Sequence, residues 1–202
     1  AWGLPRKLDM LAAEGVSVKD EKIYNFENIF FDDFKTTYPL RKAREEQLSL
    51  AKKVELSEPK KMPDLILGLD ASYNGTRAYG AGILYSASDN KVIDTTRSEI
   101  RIDWPYVPTY LGFREIPVFR PIIEALDEPA VLMLDGNGIL HPFGFGMASH
   151  IGVEFGMPSV GVAKNLLCGS TGDRCTPKAT PVMRDGKQIG AELKTSARGK
   201  PV

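Results

Sequence analysis

The sequence predicts an α/β fold built around one mixed β-sheet, and two patterns lead to this prediction. Three consecutive segments, 65–72, 79–87 and 91–102, have the residue composition of strands and are separated by short turns, which is typical of an antiparallel meander. Farther along the chain, strand segments alternate with helical segments, a pattern that places parallel strands in one sheet. Together the two patterns predict a mixed sheet flanked by helices.

The segments around the meander can be assigned in order. Helix formers dominate 40–54, and one stripe of this helix is expected to be buried. The stripe consists of Leu40, Ala43, Gln47, Leu48, Ala51 and Val54. Residues 111–126 are expected to form a helix that Pro117 and Pro121 distort or shorten. The remaining predicted elements are a buried central strand at 130–135, a helix near 145–155, a buried strand at 159–163 and a hairpin around Asp185-Gly186.

Length and composition limit the possible classes of protein. A chain of 202 residues suits one main domain, so we interpret 1–38 as an N-terminal extension of unknown role and 39–202 as the functional domain. Lys plus Arg and Asp plus Glu both number 26, so any binding of nucleic acid requires a local patch rather than bulk charge. Cys168 and Cys175 lack the spacing of a zinc site and are interpreted as free thiols. Without a membrane-length apolar run or a signal-peptide core, the sequence predicts a cytoplasmic protein that does not enter membranes.

Two of the apolar strand segments end in an aspartate. The run 65–69 stops at Asp70, and the run 130–134 stops at Asp135. Open α/β sheets place their sites at the carboxyl ends of strands, and Mg²⁺ prefers oxygen ligands. Aspartates also open turns after strands without any chemical role, but their paired occurrence favours a site for a divalent cation. Glu115, on the helix after the meander, supplies a third acid, and this order of acids matches ribonuclease-H-like nucleases.

Five motifs then resemble those of the endonuclease V family. They are Pro105-Tyr106-Val107-Pro108, Phe113-Arg114-Glu115, the stretch Leu-Asp-Gly-Asn-Gly-Ile-Leu-His-Pro at 134–142, Gly144-Phe145-Gly146 with Ala148-Ser149-His150, and Gly161-Val162-Ala163-Lys164-Asn165. The resemblance runs from about residue 39 to the end, and the block 134–164 is highly specific. It implies a metal-dependent endonuclease that recognises inosine in DNA or RNA and cuts 3′ to it, one nucleotide beyond the lesion.

The resemblance also implies roles for individual residues. Asp70, Glu115 and Asp135 would bind Mg²⁺, with Mn²⁺ as a substitute, and Lys164 would lie near the scissile phosphate. A lysine is a point charge suited to a phosphate or a developing oxyanion. The loop Pro105-Tyr106-Val107-Pro108 would act as a wedge that enters the duplex where the abnormal base leaves the stack.

A pocket for the base is implied as well. The resemblance assigns it to Leu111, Gly136 and Gly146, where backbone groups can approach a ligand because glycine has no Cβ. His141 and His150 lie in shared motifs, and we interpret both as hydrogen-bonded structural residues rather than metal ligands.

The sequence departs from the family pattern at two places. Thr109 stands where the family commonly has glycine, which predicts a stiffer wedge loop. Family members usually continue beyond a Lys-Pro pair into a segment with a further metal ligand, whereas this sequence stops at Lys200-Pro201-Val202, so a truncated nuclease domain is expected.

Two other functions are compatible with the residues. One is a catalytically weakened, nucleic-acid-binding member that lacks the last metal ligand. The other is an actin-like sugar kinase or ATPase whose phosphate-binding hairpin would lie at 70–76, although that fold normally needs a much longer chain. The leading prediction is a monomeric nuclease whose partner is inosine-containing DNA or RNA.

Overall fold

The computed structural model of the chain describes residues 4–19, 22–24, 38–57, 59–172, 179–196 and 201–202. The chain divides into two compact units, residues 1–40 and 41–202. In the first unit, helix α1 (Leu4–Ala13) precedes two short strands, β1 (Val18–Lys19) and β2 (Lys22–Ile23), which pair antiparallel.

A five-stranded sheet forms the centre of the second unit. Its strands are β3 (Leu65–Asn74), β4 (Arg77–Ser86), β5 (Lys91–Arg101), β6 (Ala130–Asp135) and β7 (Ser159–Val162). They lie in the order β5-β4-β3-β6-β7, with antiparallel pairing among β3, β4 and β5 and parallel pairing of β6 with β3 and with β7. The predicted mixed, ribonuclease-H-like sheet is therefore confirmed.

Three further helices accompany this sheet in the described part of the chain: α2 (Tyr38–Ala51), α3 (Leu111–Ile123) and α4 (Met147–Phe155). The core lies between one face of the sheet and the helices α3 and α4. Its main buried residues are Leu67, Leu69, Leu132 and Leu134 of the sheet, Ile116, Phe119, Ile122 and Ile123 of α3, and Met147, Ala148 and Ile151 of α4. Both prolines of α3 face solvent, so the helix accommodates them, but it ends three residues earlier than predicted. None of the described helices is long and apolar enough to cross a membrane.

A smaller sheet follows β7 in the sequence. It consists of β8 (Ser170–Thr171), β9 (Ala179–Arg184) and β10 (Lys187–Leu193) in the order β10-β9-β8. The turn between β9 and β10 has positive φ at both Asp185 (51°) and Gly186 (73°), as a type I′ hairpin turn requires. The predicted hairpin is confirmed, whereas β8 is too short to leave a sequence pattern.

Two predictions about burial are wrong. In α2 the side chains of Ala43 and Gln47 are buried, but Leu40 and Leu48 remain 39% and 45% exposed, so the predicted buried stripe forms only in part. The last strand of the main sheet, β7, pairs with β6 on one side only, and its Val160 is 46% exposed. It is an edge strand, because the described residues place no strand beyond it.

Candidate active site

The parallel pairing of β3 with β6 brings two aspartates to one edge of the sheet. Leu69 lies opposite Leu134 in the register, so the next residues, Asp70 and Asp135, lie at the same level on neighbouring strands. Asp135 ends β6, whereas β3 continues past Asp70 to Asn74. Both side chains are exposed. Asp70 is oriented locally, since its Oδ1 accepts a hydrogen bond from the backbone N–H of Ala71 at 2.9 Å. The expected pair of carboxylates therefore lies side by side where the parallel pairing of β3 with β6 ends.

Glu115 approaches this pair from helix α3. Burial raises the pKa of Glu115, a hydrogen bond from Tyr73 acts in the opposite direction, and the negative charges of Asp70 and Asp135 raise the pKa further. Glu115 is thus close enough to Asp70 and to Asp135 for their charges to repel its own. A cation bound between them would relieve this repulsion, and an all-oxygen donor set fits Mg²⁺.

One oxygen of Glu115 is already engaged. The hydroxyl of Tyr73 donates to Glu115 Oε1 over 2.5 Å. In the described parts of the chain, no group of three or more His, Cys, Asp or Glu side chains is placed to hold a metal ion as the side chains stand. The assignment of Asp70, Glu115 and Asp135 as metal ligands therefore stays a prediction, supported by their location and donor chemistry.

Lys164 lies beside the same carboxylates. It follows β7, and its Nζ donates to Asp135 Oδ2 over 3.4 Å. The lysine side chain is 82% exposed, so the ion pair with Asp135 is weak and the ammonium group is accessible to a ligand. Its placement is the one expected of a group that contacts a phosphate at this edge.

The loop after Asp135 is fixed by backbone contacts. The N–H of Gly136 donates to the carbonyl of Val162 at 2.9 Å, and the N–H of Gly146 donates to the carbonyl of Gly138 at 2.9 Å. A Cβ added to Gly146 would lie 2.3 Å from the carbonyl oxygen of Asn137, so this close approach requires glycine. Gly146 thus has a structural function, and its assignment to the base pocket with Leu111 and Gly136 stays a prediction.

The predicted wedge loop is held at its first end by aromatic packing. The ring of Trp104 stacks on that of Phe113 with centroids 5.4 Å apart. The backbone carbonyl of Trp104 accepts a hydrogen bond from Arg114 Nη1 at 2.5 Å. Tyr106, two residues beyond Trp104, is 70% exposed.

Helix α2 holds the other end of the loop. Gln47 Nε2 donates to the backbone carbonyl of Thr109 at 2.7 Å and also to that of Phe145 at 3.2 Å. Thr109 has a φ of 72°, a conformation that a β-branched residue rarely adopts. The loop thus exposes its tip, Tyr106, while both ends are anchored.

Both histidines are buried. Burial lowers the pKa of His141 and of His150 to about 4, so both are neutral near pH 7. His141 Nδ1 accepts from the N–H of Phe143 at 3.3 Å, and the ring of His150 contacts those of Phe113 and Phe145 at 4.9 and 5.1 Å. These contacts support the structural interpretation of the two histidines.

Sequence reasoning missed three residues that contact Glu115 and the two ends of the wedge loop, namely Tyr73, Arg114 and Gln47. Tyr73 gave no signal, because a tyrosine near the end of a strand normally indicates packing. Arg114 stood next to Glu115 in a recognised motif without receiving a role, and Gln47 appeared only as a helix former. Of the two cysteines, Cys168 is a free thiol, and Cys175 lies outside the described residues.

Comparison with known proteins identifies a matching family. The family profile described as Endonuclease V matches residues 48–202. An endonuclease V of Thermofilum pendens is 40% identical over 171 residues, which cover 82% of this chain and 72% of the relative. A bifunctional methyltransferase/endonuclease of Thermoplasma volcanium is 32% identical over 93% of this chain, but the match spans only 54% of the relative.

Solved structures agree with these matches. The crystal structure of an endonuclease V from Streptomyces avermitilis superimposes with a TM-score of 0.71 at 34% identity and covers 80% of this chain and 74% of its own. A Ciona intestinalis endonuclease V, solved in complex with DNA containing an inosine followed by a ribo-adenosine, has a TM-score of 0.72 at 24% identity, with 82% and 81% of the two chains covered. At that identity the second likeness supports the fold alone.

Proposed function

Because this chain belongs to the endonuclease V family, whose members are metal-dependent nucleases that hydrolyse phosphodiester bonds, we propose that it cuts inosine-containing DNA or RNA. The observation that carries the proposal is the meeting of Asp70 and Asp135 at one edge of the sheet, with Glu115 facing them and Lys164 alongside. The cut is proposed to lie 3′ to the inosine, one nucleotide beyond it.

The proposed metal is Mg²⁺, with Mn²⁺ as a substitute, held by Asp70, Glu115 and Asp135. A divalent ion at this edge would supply activation of the attacking water and stabilisation of the leaving 3′-oxygen. The protein would supply three carboxylates, each from a separate element of the fold. Lys164 contributes a positive charge that can contact a non-bridging phosphate oxygen from the Asp135 side.

Selection of the damaged base is proposed to involve a different part of the surface. The exposed Tyr106, between Pro105 and Pro108, would enter the stack from which the base has left. The extruded hypoxanthine is proposed to bind near Leu111, Gly136 and Gly146. Inosine is proposed as the lesion because the chain belongs to the endonuclease V family.

The direct test is cleavage of matched oligonucleotides. Single-stranded and duplex DNA and RNA, each with one inosine or with guanosine at the same position, are incubated with the protein and Mg²⁺, and the products are separated on a gel. We expect cleavage of inosine strands only, one nucleotide beyond the lesion on its 3′ side, and no products when EDTA replaces Mg²⁺. The same gel gives the preference between DNA and RNA.

Other outcomes would favour other proposals. Binding of the inosine strands without any cleavage in Mg²⁺ or Mn²⁺ would favour the catalytically weakened, nucleic-acid-binding alternative. The actin-like kinase alternative has no support from the family match. A cytoplasmic location is proposed because a free thiol such as Cys168 is typical of a reducing compartment, and the expected monomer can be checked by analytical ultracentrifugation.

A further inference from the structure

Consecutive contacts connect the proposed metal ligand Glu115 with Trp104, the residue that directly precedes the wedge loop. Tyr73 Oη donates to Glu115 Oε1 at 2.5 Å. The guanidinium carbon of Arg114 lies 4.5 Å from the centre of the Tyr73 ring, and Arg114 Nη1 donates to the carbonyl of Trp104 at 2.5 Å. Trp104 directly precedes Pro105, the first residue of the wedge.

From these contacts we propose that Tyr73 is a positioning residue for Glu115, and that Arg114 links this contact to the wedge loop. The inference rests on the proposed function. It adds that the position of the wedge loop and the orientation of the Glu115 carboxylate depend on each other.

The first step is the orientation of Glu115. A hydrogen bond to a carboxylate is about twice as strong as one between neutral groups, so the Tyr73 hydroxyl restricts rotation of the carboxylate. Because Oε1 receives this bond, we expect Oε2 to be the oxygen that binds a cation near Asp70 and Asp135. Without the Tyr73 hydroxyl, the Glu115 side chain can rotate. Metal binding then has to offset the conformational entropy that the side chain loses when it is fixed.

The second step is the connection to the loop. Arg114 touches the ring of Tyr73 with its planar group and the backbone of Trp104 with one of its N–H groups. A shift of the Trp104 backbone would therefore either stretch its hydrogen bond with Arg114 or displace the Arg114 guanidinium from the Tyr73 ring. Since binding linkage is reciprocal, a cation that fixes Glu115 should alter the environment of Trp104, and the loop should alter the affinity for the cation.

Metal affinity without nucleic acid tests the first step. Mn²⁺ is titrated into the wild type, Tyr73→Phe and Tyr85→Phe, and free Mn²⁺ is followed by electron paramagnetic resonance. Tyr85 is the matched control, because its hydroxyl also bonds a side chain, Asn90, within the β4–β5 hairpin. We expect binding to weaken roughly threefold to tenfold in Tyr73→Phe, as loss of a hydrogen bond to a charged group in a partly exposed site predicts, and to stay unchanged in Tyr85→Phe.

Trp104 itself reports on the second step. The chain has two tryptophans, so Trp2→Phe leaves Trp104 as the only one. In that background, saturating Mg²⁺ should change the emission of Trp104. Adding Tyr73→Phe or Arg114→Gln should abolish most of the change, and adding Tyr85→Phe should preserve it.

The possible failures can be told apart. If the wild type neither binds Mn²⁺ nor cuts inosine strands, the proposed function fails and this inference fails with it. If the wild type does both but Tyr73→Phe binds Mn²⁺ with wild-type affinity, the positioning role is wrong and the proposed function stands. An emission of Trp104 that Mg²⁺ leaves unchanged, or changes equally in Arg114→Gln, would overturn the link to the loop.

Discussion

Two segments that meet at the carboxylate edge are held in opposite ways. The segment after Asp135 is fixed along its length by backbone hydrogen bonds, and Gly146 packs so closely against Asn137 that no Cβ fits. The wedge loop is held near its ends, by bonds to the backbone carbonyls of Trp104 and Thr109, and its tip is exposed. The first segment is tightly packed at Gly146, whereas the second leaves the side chain of Tyr106 exposed.

The difference corresponds to two physical tasks. A carboxylate that binds a metal has to be held within a fraction of an ångström, which requires rigid support. A side chain that replaces an extruded base has to project from the surface and enter a duplex. Changes near Asp135 should therefore affect catalysis or stability, whereas changes at the tip of the loop should affect selectivity.

The largest expected effect is that of Asp135→Asn. The amide keeps the shape but removes the charge, so we expect the single-turnover cleavage rate to fall by about 10³-fold or more, or at least about 4 kcal/mol in the barrier. Because the side chain is 60% exposed and its contact to Lys164 is weak, the free energy of unfolding should change by less than about 1 kcal/mol. Asp185→Asn in the β9–β10 turn is the control, since its carboxylate is 89% exposed and outside the site. Near-native cleavage by Asp135→Asn would contradict the metal-site assignment.

Gly146→Ala tests the rigid segment directly. The new methyl group would meet the Asn137 carbonyl at 2.3 Å, so the loop has to move, and we expect roughly 3 kcal/mol of destabilisation in urea unfolding. Gly138→Ala, in the same segment, is the matched control. Its Cβ would lie 3.7 Å from Ser149 Oγ, an ordinary contact, and its effect should stay below about 1 kcal/mol. Equal stability of the two variants would show that the segment is not tightly packed.

A pH-dependent effect is expected where the two segments share a packing partner. His150 lies against Phe113, which stacks on Trp104, and against Phe145, which precedes Gly146. Burial lowers the pKa of His150 from 6.5 to about 4, so between these values the unfolded chain binds more protons than the folded chain. The stability linked to this residue is complete above pH 6.5 and is lost as the pH falls towards 4.

Urea unfolding at pH 7 and pH 4.5 measures this loss. The wild type should lose more stability between the two pH values than His150→Phe, by roughly 2 kcal/mol, given 1.36 kcal/mol per pKa unit and some screening. His141, whose pKa is also lowered to about 4, should retain its own contribution in that variant. An identical loss in both proteins would mean that His150 is accessible to protons in the folded state.

At the tip of the loop, Tyr106→Ala should change selectivity rather than stability. The side chain is 70% exposed, so the free energy of unfolding should stay within about 0.5 kcal/mol. The preference for inosine over guanosine should fall about tenfold in duplex substrates and less in single strands, where less stacking has to be broken. Tyr106→Phe is the control, since it keeps the aromatic ring. Equal losses on both kinds of substrate would indicate a packing role.

The sequence predicted some elements of the fold better than others. The run of apolar residues before Asp135 predicted β6 and its end correctly, because a continuous apolar pattern is typical of a central strand, although Met133 on its second face is 37% exposed. The same composition in 159–163 did not reveal an edge strand, since pairing on the second side depends on strands elsewhere in the chain. For the helix α2, an apolar stripe did not determine which side chains become covered, and Leu48 stayed exposed.

Prediction of the candidate active site from the sequence has the same limit. Asp70 and Asp135 could be expected to lie together because each follows an apolar run, although β3 continues past Asp70 to Asn74. The bond from Tyr73 to Glu115 joins a strand to a helix, and the bond from Gln47 to Thr109 joins a helix to a loop. Such contacts depend on how the elements pack, and no local spacing encodes them.

Thr109→Gly is the smallest expected effect and tests the anchored end of the wedge loop. A φ of 72° costs a residue with a Cβ about 1–2 kcal/mol, and the β-branched side chain of Thr109 makes the conformation more unfavourable. Glycine removes this strain but loses more entropy on folding, about 0.5–1 kcal/mol. The contact from Arg44 to Thr109 Oγ1 is long, at 3.4 Å, and contributes little, while the bond from Gln47 to the backbone carbonyl survives the change. We therefore expect a net stabilisation of about 0.5–1 kcal/mol in urea unfolding. Thr109→Ala, which keeps the strain of a Cβ at positive φ and loses the hydroxyl, should be stabilised less than Thr109→Gly. If glycine destabilises the protein instead, the hydroxyl contact with Arg44 outweighs the backbone strain, and the loop is anchored by side chains at this end.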